Sequence, residues 1–410
     1  MSVHLPWRFE WQVALRFLRE GRMQSWLIVG GVAAGVAVIT YIAALINGLQ
    51  ANTVSKTLGT QAHISLRAPE DVVIPLSAAA PGTWLLSDTQ PRAQRLRSVD
   101  NWQQLLPVLE QEPGVVAVSP MVSGSGLALR GEATQSIAIM GVELERYQRI
   151  VNLREKIVAG TWGLQPGDTM IGVELAADLG VRPGDRFTID TGSVQEPVRV
   201  SALLDMGVKD LNRRTVIIPL RSAQSLLGLP GGATVLDVKV DDVWLAEALA
   251  EQLRQRYLYE IESWQATNAQ LVSALKAQSI STAVIRAVVL IVVVLGIASV
   301  LVVSVVQKRK EIGILRAMGT TRAQVLRVFL LQGAIVGALG SVAGLLLAWA
   351  LVLLFTAMAR GAGGGALFDI SLTWQDALSA ALTATLCGVL AAVAPARSAA
   401  RLDPAQAIRM

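Results

Sequence analysis

Side chains typical of enzyme active sites are few in this chain of 410 residues. The two histidines, His4 and His63, stand far apart, and neither has a second metal-type ligand beside it in the sequence. The phosphate-binding pattern GxxxxGK(S/T) is absent, and the single cysteine, Cys387, excludes an intramolecular disulfide. The sequence therefore predicts no catalytic residues, no metal site and no cofactor bound by this chain.

One short stretch has the composition of a binding element. Residues 307–319, QKRKEIGILRAMG, begin with a basic cluster, continue with mixed apolar and charged residues, and end at a glycine. The stretch lies between two apolar segments that are each long enough to cross a bilayer. Because a helix of this composition cannot stay in lipid, we expect it to lie at the cytoplasmic face and contact a partner. A membrane-surface anchor without a partner is the alternative.

Charged residues are scarce at the two ends of the chain. They make up 16% of the whole sequence, against roughly a quarter in soluble proteins, and the mean hydropathy is +0.48. Four apolar segments, 24–46, 279–306, 325–358 and 374–394, are predicted to span a membrane. Residues 47–278 have a soluble composition with irregularly mixed helix and strand patterns. The predicted fold is a four-helix membrane protein with a large α+β domain inserted between helices 1 and 2.

Basic residues predict the orientation of these segments. They are concentrated in an amphipathic segment at 1–23, in the connection at 307–324 and in the tail at 395–410, whereas the loop at 359–373 contains only Arg360. The positive-inside rule then places both termini in the cytoplasm and residues 47–278 outside. Since the basic clusters flank apolar segments, they do not indicate a nucleic-acid site. The lone cysteine fits a bacterial inner-membrane protein with a periplasmic domain.

The membrane segments contain no acidic group near the bilayer centre. Apart from Arg286, residues 282–306 have no ionisable side chain, and the fourth segment has only Asp376, near its outer end. A carrier driven by protons or sodium would place such groups at the midplane. We therefore expect the energy for any transport to come from a partner. The helical pattern that begins at residue 268 runs unbroken into the second segment and would join it to the outer domain.

Glycines recur at helical spacing in two of the membrane segments, as expected where helices pack closely. The general abundance of glycine in membrane helices is an alternative explanation for the first pair. The predicted packing residues are Gly31, Gly35, Gly333, Gly337, Gly340 and Gly344.

The sequence resembles a known family at several points. QKRKEIGILRAMGTTRAQVLRVFLLQGAIVGALGSVAGLLLAW resembles the membrane block of the FtsX-like permeases, and the closing PARSAARLDPAQAIR resembles their tail. GVELAADLGVRPGDRFTI resembles the periplasmic core of MacB-type transporters. ALRFLREGR and SWQATNAQLVSAL are similar to the lipoprotein-releasing LolC/LolE permeases. Residues 68–97 match none of these and have no assigned role.

This resemblance implies a subunit of a type VII ABC transporter. It implies a dimer with a second copy or a paralogue, and a separate cytoplasmic ABC ATPase that binds ATP and magnesium. The ATPase would dock on the coupling helix at 307–324. Ile312, Leu315 and Met318 are expected to share the face that enters a groove of the ATPase. The implied contact residues are Glu311, Ile312, Gly313, Leu315, Arg316, Met318 and Gly319.

The resemblance leaves three functions open. The first is lipoprotein release from the inner membrane, with a lipid or lipoprotein substrate and a periplasmic carrier. The second is MacB-type efflux with a membrane-fusion protein. The third is regulation of a periplasmic cell-wall hydrolase in the manner of FtsX, although the domain at 47–278 is larger than the outer domains of such regulators. The sequence decides neither the substrate nor whether the second permease subunit is identical.

Overall fold

The computed structural model of the protein describes residues 8–20, 22–69, 96–359, 370 and 373–401. Most of the segment 68–97, of the loop at 359–373 and of the tail at 395–410 lies outside the described residues, so the predictions for these segments stay predictions. The chain forms two compact units. One comprises Met1–Thr53 with Ser273–Met410, and the other comprises Val54–Val272.

Thirteen α-helices and ten strands occur in the described residues. The helices are α1 (Arg8–Glu20), α2 (Arg22–Leu58), α3 (Trp102–Glu110), α4 (Leu144–Ile150), α5 (Val173–Leu179), α6 (Lys209–Arg214), α7 (Leu220–Leu226), α8 (Ala246–Arg256), α9 (Trp264–Thr267), α10 (Ala269–Gln307), α11 (Arg309–Ala317), α12 (Arg322–Met358) and α13 (Trp374–Ala400). The strands are β1 (Ile64–Arg67), β2 (Val115–Arg130), β3 (Ala133–Val142), β4 (Ile157–Gly160), β5 (Asp168–Gly172), β6 (Arg186–Asp190), β7 (Gln195–Leu204), β8 (Thr215–Pro219), β9 (Val235–Val240) and β10 (Glu260–Ser263).

Four of the described helices, α2, α10, α12 and α13, are long and apolar enough to cross a membrane. Their lengths of 37, 39, 37 and 27 residues exceed the ~20 residues that a bilayer requires. Each helix is longer than the apolar segment predicted from the sequence, because helical hydrogen bonding continues into flanking polar residues. The four spans and the inserted α+β domain are the predicted fold class.

Helix α13 continues past the point where the sequence predicts its end. The predicted segment stops at residue 394 because proline lacks a backbone N–H, yet Pro395 lies inside the helix. The next turn is held by Ala396 and Ala399, which are fully buried against α1 and α12. Burial of this small-residue face offsets the lost hydrogen bond, and the helix ends only at Ala400.

The glycines of α12 lie at two different helix contacts. A Cβ atom at Gly337 would stand 2.9 Å from the carbonyl oxygen of Ala384 in α13, and Gly333 faces α13 in the same way. A Cβ atom at Gly344 would stand 2.7 Å from the carbonyl oxygen of Ala33 in α2. Absence of a side chain at these positions lets the helix backbones approach closely.

The remaining predicted packing residues divide in the same manner. Gly340 lies against Val32 of α2, and Gly35 of α2 lies against Val293 of α10. Gly31 has no atom within 4 Å of a Cβ built on it. The structure therefore places five of the six predicted glycines at helix contacts and leaves Gly31 outside them.

The second unit is built on one ten-stranded mixed sheet. The strand order is β10-β1-β9-β2-β3-β8-β5-β7-β4, with β6 paired to β2 and β7. β3 pairs with β8 and β5 with β7 in parallel, and the other pairs are antiparallel. Both faces of the central strand β8 are buried: Val216 and Ile218 join the core under α5 and α7, and Ile217 joins the core under α4. Helices on both faces of the sheet give this unit its own core.

Candidate coupling site

Helix α11 is a short, sharply bounded element between α10 and α12. Its carboxyl end has a Schellman motif, in which the amide of Gly319 donates to Arg316 O (3.2 Å) and the amide of Thr320 to Leu315 O (3.2 Å). Gly319 has φ +102°, a conformation that favours glycine. Thr321 and Gln324 then form a capping box that starts α12. The turn from α11 into α12 is thus determined by local hydrogen bonds.

One face of α11 is buried in its own unit. Ile312 is only 1% exposed and Gly313 is also buried. Ile312 and the half-buried Leu315 pack in a cluster with Phe17 of α1 and Phe329 of α12. This apolar contact holds α11 against the membrane helices.

The opposite face of α11 is exposed. Met318 is 76% exposed and Ile314 is 51% exposed, and Glu311 lies on the same side. The sequence predicts one shared face for Ile312, Leu315 and Met318, and the structure corrects this expectation. At 100° per residue, six positions turn Ile312 and Met318 ~120° apart, whereas four positions bring Ile314 and Met318 within ~40°.

The predicted contact set is therefore split between the two faces. Ile312 and Gly313 are buried, Leu315 and Arg316 are half-buried, and Glu311, Met318 and Gly319 are exposed. Ile314 is the exposed residue that the sequence reasoning missed. Its four-residue spacing from Met318 was the available signal.

Helix α1 packs beside the start of α11. The Lys308 ammonium, which precedes α11, lies 2.8 Å from Glu20 Oε2 and 4.5 Å from the centre of the Phe17 ring. The rings of Phe17 and Phe329 are 6.3 Å apart. The hydrogen bonds from Lys308 and Arg16 lower the pKa of the Glu20 carboxyl to about 2. Glu20 is therefore ionised throughout the physiological pH range.

A second charged contact ties α1 to α12. Glu10 is 1% exposed, and its Oε1 atom lies 3.8 Å from a guanidinium nitrogen of Arg327. Burial of an acidic side chain is costly, and a nearby cation offsets part of that cost. The amphipathic segment predicted to lie on the membrane thus packs, in part, on protein.

Other chemistry-bearing residues do not assemble into a site. No group of three or more histidine, cysteine, aspartate or glutamate residues could hold a metal ion within the part of the chain that the structure describes. The Nδ1 atom of His63 is within 3.1–3.2 Å of the backbone O and N of Val240, and burial lowers the pKa of its ring. His4 lies outside the described residues.

Four spans, an inserted α+β domain and a partly exposed helix at the membrane surface are the architecture of a permease subunit. The model of the FtsX-like permease C-terminal region matches residues 283–404, and that of the MacB-like periplasmic core domain matches residues 25–256. The chain belongs to the FtsX-like permeases with a MacB-like periplasmic core domain. It is a multi-pass ABC transporter permease, and its α+β unit is the periplasmic domain.

Relatives of two kinds resemble the chain over most of its length. The lipoprotein-releasing system transmembrane protein LolC of Xylella fastidiosa is 25% identical, over 97% of this chain and 98% of that protein. The corresponding LolE of Haemophilus influenzae is 26% identical, over 92% of each chain. The macrolide export ATP-binding/permease protein MacB of Escherichia coli is 23% identical, over 96% of this chain and 59% of that protein.

Proposed function

We propose that this chain couples ATP hydrolysis by a separate ABC ATPase to the release of lipoproteins from the inner membrane into the periplasm. The family supports the ATPase partner, and the relatives named LolC and LolE support the substrate. In this proposal both termini and α11 lie in the cytoplasm, and ATP and magnesium bind to the partner. The transporter contains a second permease subunit, either a copy or a paralogue, and a periplasmic carrier receives the lipoprotein.

The exposed face of α11 is the observation that carries the coupling part of the proposal. Ile314 and Met318 are large apolar side chains on a helix outside the long apolar spans, where exposure to water is unfavourable. Glu311 is exposed beside them and can pair with a cation of the partner. An apolar pair with a charged rim is typical of a helix that enters a groove of another protein.

The buried face of α11 explains how a displacement would be transmitted. Ile312 and Leu315 pack in one apolar cluster with Phe17 and Phe329, so we expect a displacement of α11 to move α1 and the start of α12 with it. Lys308 follows directly after α10 and is bonded to Glu20 of α1. A force on the exposed face of α11 would therefore be transmitted to α1, α10 and α12.

Co-purification tests the ATPase contact. The tagged full-length chain is expected to co-purify with an ATP-binding protein that has a P-loop, and a double substitution Ile314→Glu/Met318→Glu should abolish this association. Leu258→Glu is the matched control, because Leu258 is a 94% exposed apolar residue of the other unit. If the complex survives the double substitution, the contact face is assigned wrongly.

A release assay tests the substrate. With the ATPase present, proteoliposomes containing the complex should transfer a radiolabelled lipoprotein to a soluble carrier only when ATP is supplied. MacB-type efflux, favoured by the matching periplasmic core domain, would instead require a membrane-fusion protein and leave lipoproteins in the bilayer. Capture of a cell-wall hydrolase by the full-length chain, without any release activity, would contradict both transport functions.

A further inference from the structure

The unit that contains the four spans, Met1–Thr53 with Ser273–Met410, is called the membrane unit here. A cleft in it is lined by side chains of opposite charge. It lies between α2, α10 and α13 and has a volume of about 150 Å³. Arg286 of α10 and Asp376 of α13 both line it, and no ion pair joins them in the described part of the chain. The Nε atom of Arg286 is buried there, and no described residue forms a hydrogen bond with it. A buried donor of this kind costs free energy unless a ligand accepts from it.

A hydroxyl group of α2, the third helix that lines the cleft, also lacks a hydrogen-bond partner among the described residues. Thr40 of α2 is 4% exposed, and its Oγ1 atom has no hydrogen-bond partner among the described residues. Other threonines of the spans donate to the preceding turn, as Thr282 does to Gln278 O (2.9 Å) and Thr383 does to Ser379 O (2.7 Å). Thr40 is therefore an independent sign that a polar group occupies the cleft.

The charged end of the cleft lies at the depth of lipid headgroups. Twenty-one residues separate Arg286 from Gln307 at the other end of α10, which is ~32 Å along the helix. The same number separates Asp376 from Arg397 in α13. Because the hydrocarbon core is ~30 Å thick, Arg286 and Asp376 lie at the surface opposite to Gln307 and Arg397. In α10 this is the end that follows the periplasmic domain in the chain.

The deeper part of the cleft is apolar. Val36, Ile39 and Leu290 line it. On α13, Leu378 and Leu382 are 51% and 58% exposed and present an apolar surface to lipid. Trp374, at the start of the same helix, is 72% exposed, as is typical of an aromatic residue at the membrane interface. Charge at the interface with apolar surface below it matches an amphiphile.

We propose that this cleft binds the headgroup of one zwitterionic phospholipid from the periplasmic leaflet. The lipid phosphate accepts hydrogen bonds from Arg286, and a primary ammonium donates to Asp376. The hydroxyl of Thr40 donates to an ester oxygen, and the acyl chains lie along the exposed leucines of α13. The cleft, at about 150 Å³, is small enough to suit a headgroup and not a whole lipid.

The two charges predict an order of preference among lipids. Phosphatidylethanolamine offers both a phosphate and an ammonium with N–H donors. Phosphatidylcholine has the same charges but its quaternary nitrogen has no N–H, so it should bind less tightly. Phosphatidylglycerol is anionic and has no cation for Asp376, so it should bind least tightly. This inference stands apart from lipoprotein release, since such a site is compatible with any transported substrate.

Native mass spectrometry of the delipidated full-length chain tests the site. With lipids of identical acyl chains, we expect one phosphatidylethanolamine per chain, bound roughly tenfold more tightly than phosphatidylglycerol. Arg286→Ala should weaken phosphatidylethanolamine roughly tenfold by removing the phosphate contact. Asp376→Asn keeps an oxygen for the hydrogen bond from Thr373 Oγ1 (2.6 Å) and should mainly remove the preference over phosphatidylglycerol.

Two further variants keep the test decisive. Arg286→Lys retains a cation and should retain most of the binding, whereas equal loss in the Lys and Ala variants would overturn the proposal. Arg322→Ala removes an exposed arginine at the opposite end of the membrane unit and should change nothing. Equal binding of the two lipids by the unsubstituted chain would also overturn it. Displacement of the lipid by inorganic phosphate would overturn it as well, because the site would then bind phosphate and not a lipid. A cross-link between the Ser379→Cys residues of two copies would do the same, because a second copy would then cover the cleft.

Discussion

At the scale of single residues, Gly319 illustrates how one backbone conformation ends helix α11. Its φ of +102° closes the Schellman motif at the end of α11, and nothing lies within 4 Å of a Cβ built on it. The cost of a side chain there is therefore conformational and not steric.

We predict that Gly319→Ala destabilises the turn by ~1 kcal/mol and Gly319→Val by more. Gly319→Asn should be tolerated better, because asparagine adopts left-handed conformations more readily. Hydrogen exchange at the Gly319 and Thr320 amides measures the effect. Gly296→Ala is the matched control, since Gly296 also has open space around it but a φ for which no strain is expected. Equal exchange rates at these amides in Gly319→Val and in the control Gly296→Ala would contradict the prediction.

Asp237 is a buried acid on strand β9 of the periplasmic sheet. It is 4% exposed, Ser65 Oγ donates to it at 3.0 Å, and burial raises the pKa of its carboxyl to about 6. A raised pKa means that the folded state favours the protonated acid. Its contribution to stability is therefore greatest below the unfolded-state pKa of 3.8 and is lost as the pH rises through 6.

We predict that the unsubstituted chain loses stability relative to Asp237→Asn as the pH rises from 4 to 7.5, by up to ~3 kcal/mol. His63, whose pKa burial lowers, has the opposite effect over part of this range, so the difference between the two proteins is the relevant quantity. Denaturant unfolding of the full-length chain, followed by tryptophan fluorescence, measures it. The control Asp205→Asn should not reduce the loss of stability with rising pH, because hydrogen bonds lower the pKa of Asp205. A difference that does not change with pH would contradict the account.

At the scale of elements, the close contacts of α12 decide how the membrane unit packs. Gly333 and Gly337 admit the backbone of α13, whereas Gly340 and Gly344 admit α2. The spacing of the glycines predicts that this helix packs tightly. Which neighbour each glycine meets depends on the crossing of three helices, which no local pattern contains.

Gly344→Val should separate α12 from α2, because even a Cβ atom there would stand 2.7 Å from both Ala33 O and Val36 Cβ. Overpacking of this kind costs ~1–3 kcal/mol and should lower the thermal unfolding midpoint of the purified chain in detergent. Gly31→Ala serves as the control, since nothing lies within 4 Å of its added Cβ atom. A midpoint lowered equally by both substitutions would show that glycine acts here through the helix backbone and not through packing.

At the scale of the whole molecule, orientation in the membrane is the property on which the proposed function depends. The periplasmic domain and α11 must lie on opposite sides if an ATPase in the cytoplasm is to drive work in the periplasm. Single cysteines in a Cys387→Ser background can report this directly, because Cys387 is the only native thiol.

We expect a membrane-impermeant maleimide to label Leu258→Cys in intact spheroplasts and Met318→Cys only after permeabilisation. Both positions are well exposed in the chain itself, at 94% and 76%. In cells that lack the proposed ATPase, which would cover Met318, a lack of labelling therefore reports the membrane and not burial. The Cys387→Ser parent is the blank. Labelling of Met318→Cys in intact spheroplasts would reverse the assigned orientation and remove the proposed ATPase contact.

The sequence alone determined the four spans, the inserted α+β domain and the position of the short helix between the second and third spans. These features depend on composition, hydrophobic length and local turn signals, which act over a few neighbouring residues. Local hydrogen bonding did not by itself determine where a helix ends. Pro395 predicts the end of the fourth span, but tertiary packing of Ala396 and Ala399 extends α13 beyond it.

Only the tertiary structure decided which side chains of α11 are exposed. Ile312 looks like a contact residue in the sequence, yet α1 and α12 cover it, and Ile314 takes its place on the exposed face. Arg286, Asp376 and Thr40 belong to three helices that are distant in the chain, and only packing brings them to one cleft. The physical reason is the same in both cases. Burial and ligand contact depend on which elements meet, and that is set by the packing of whole helices and not by any one of them.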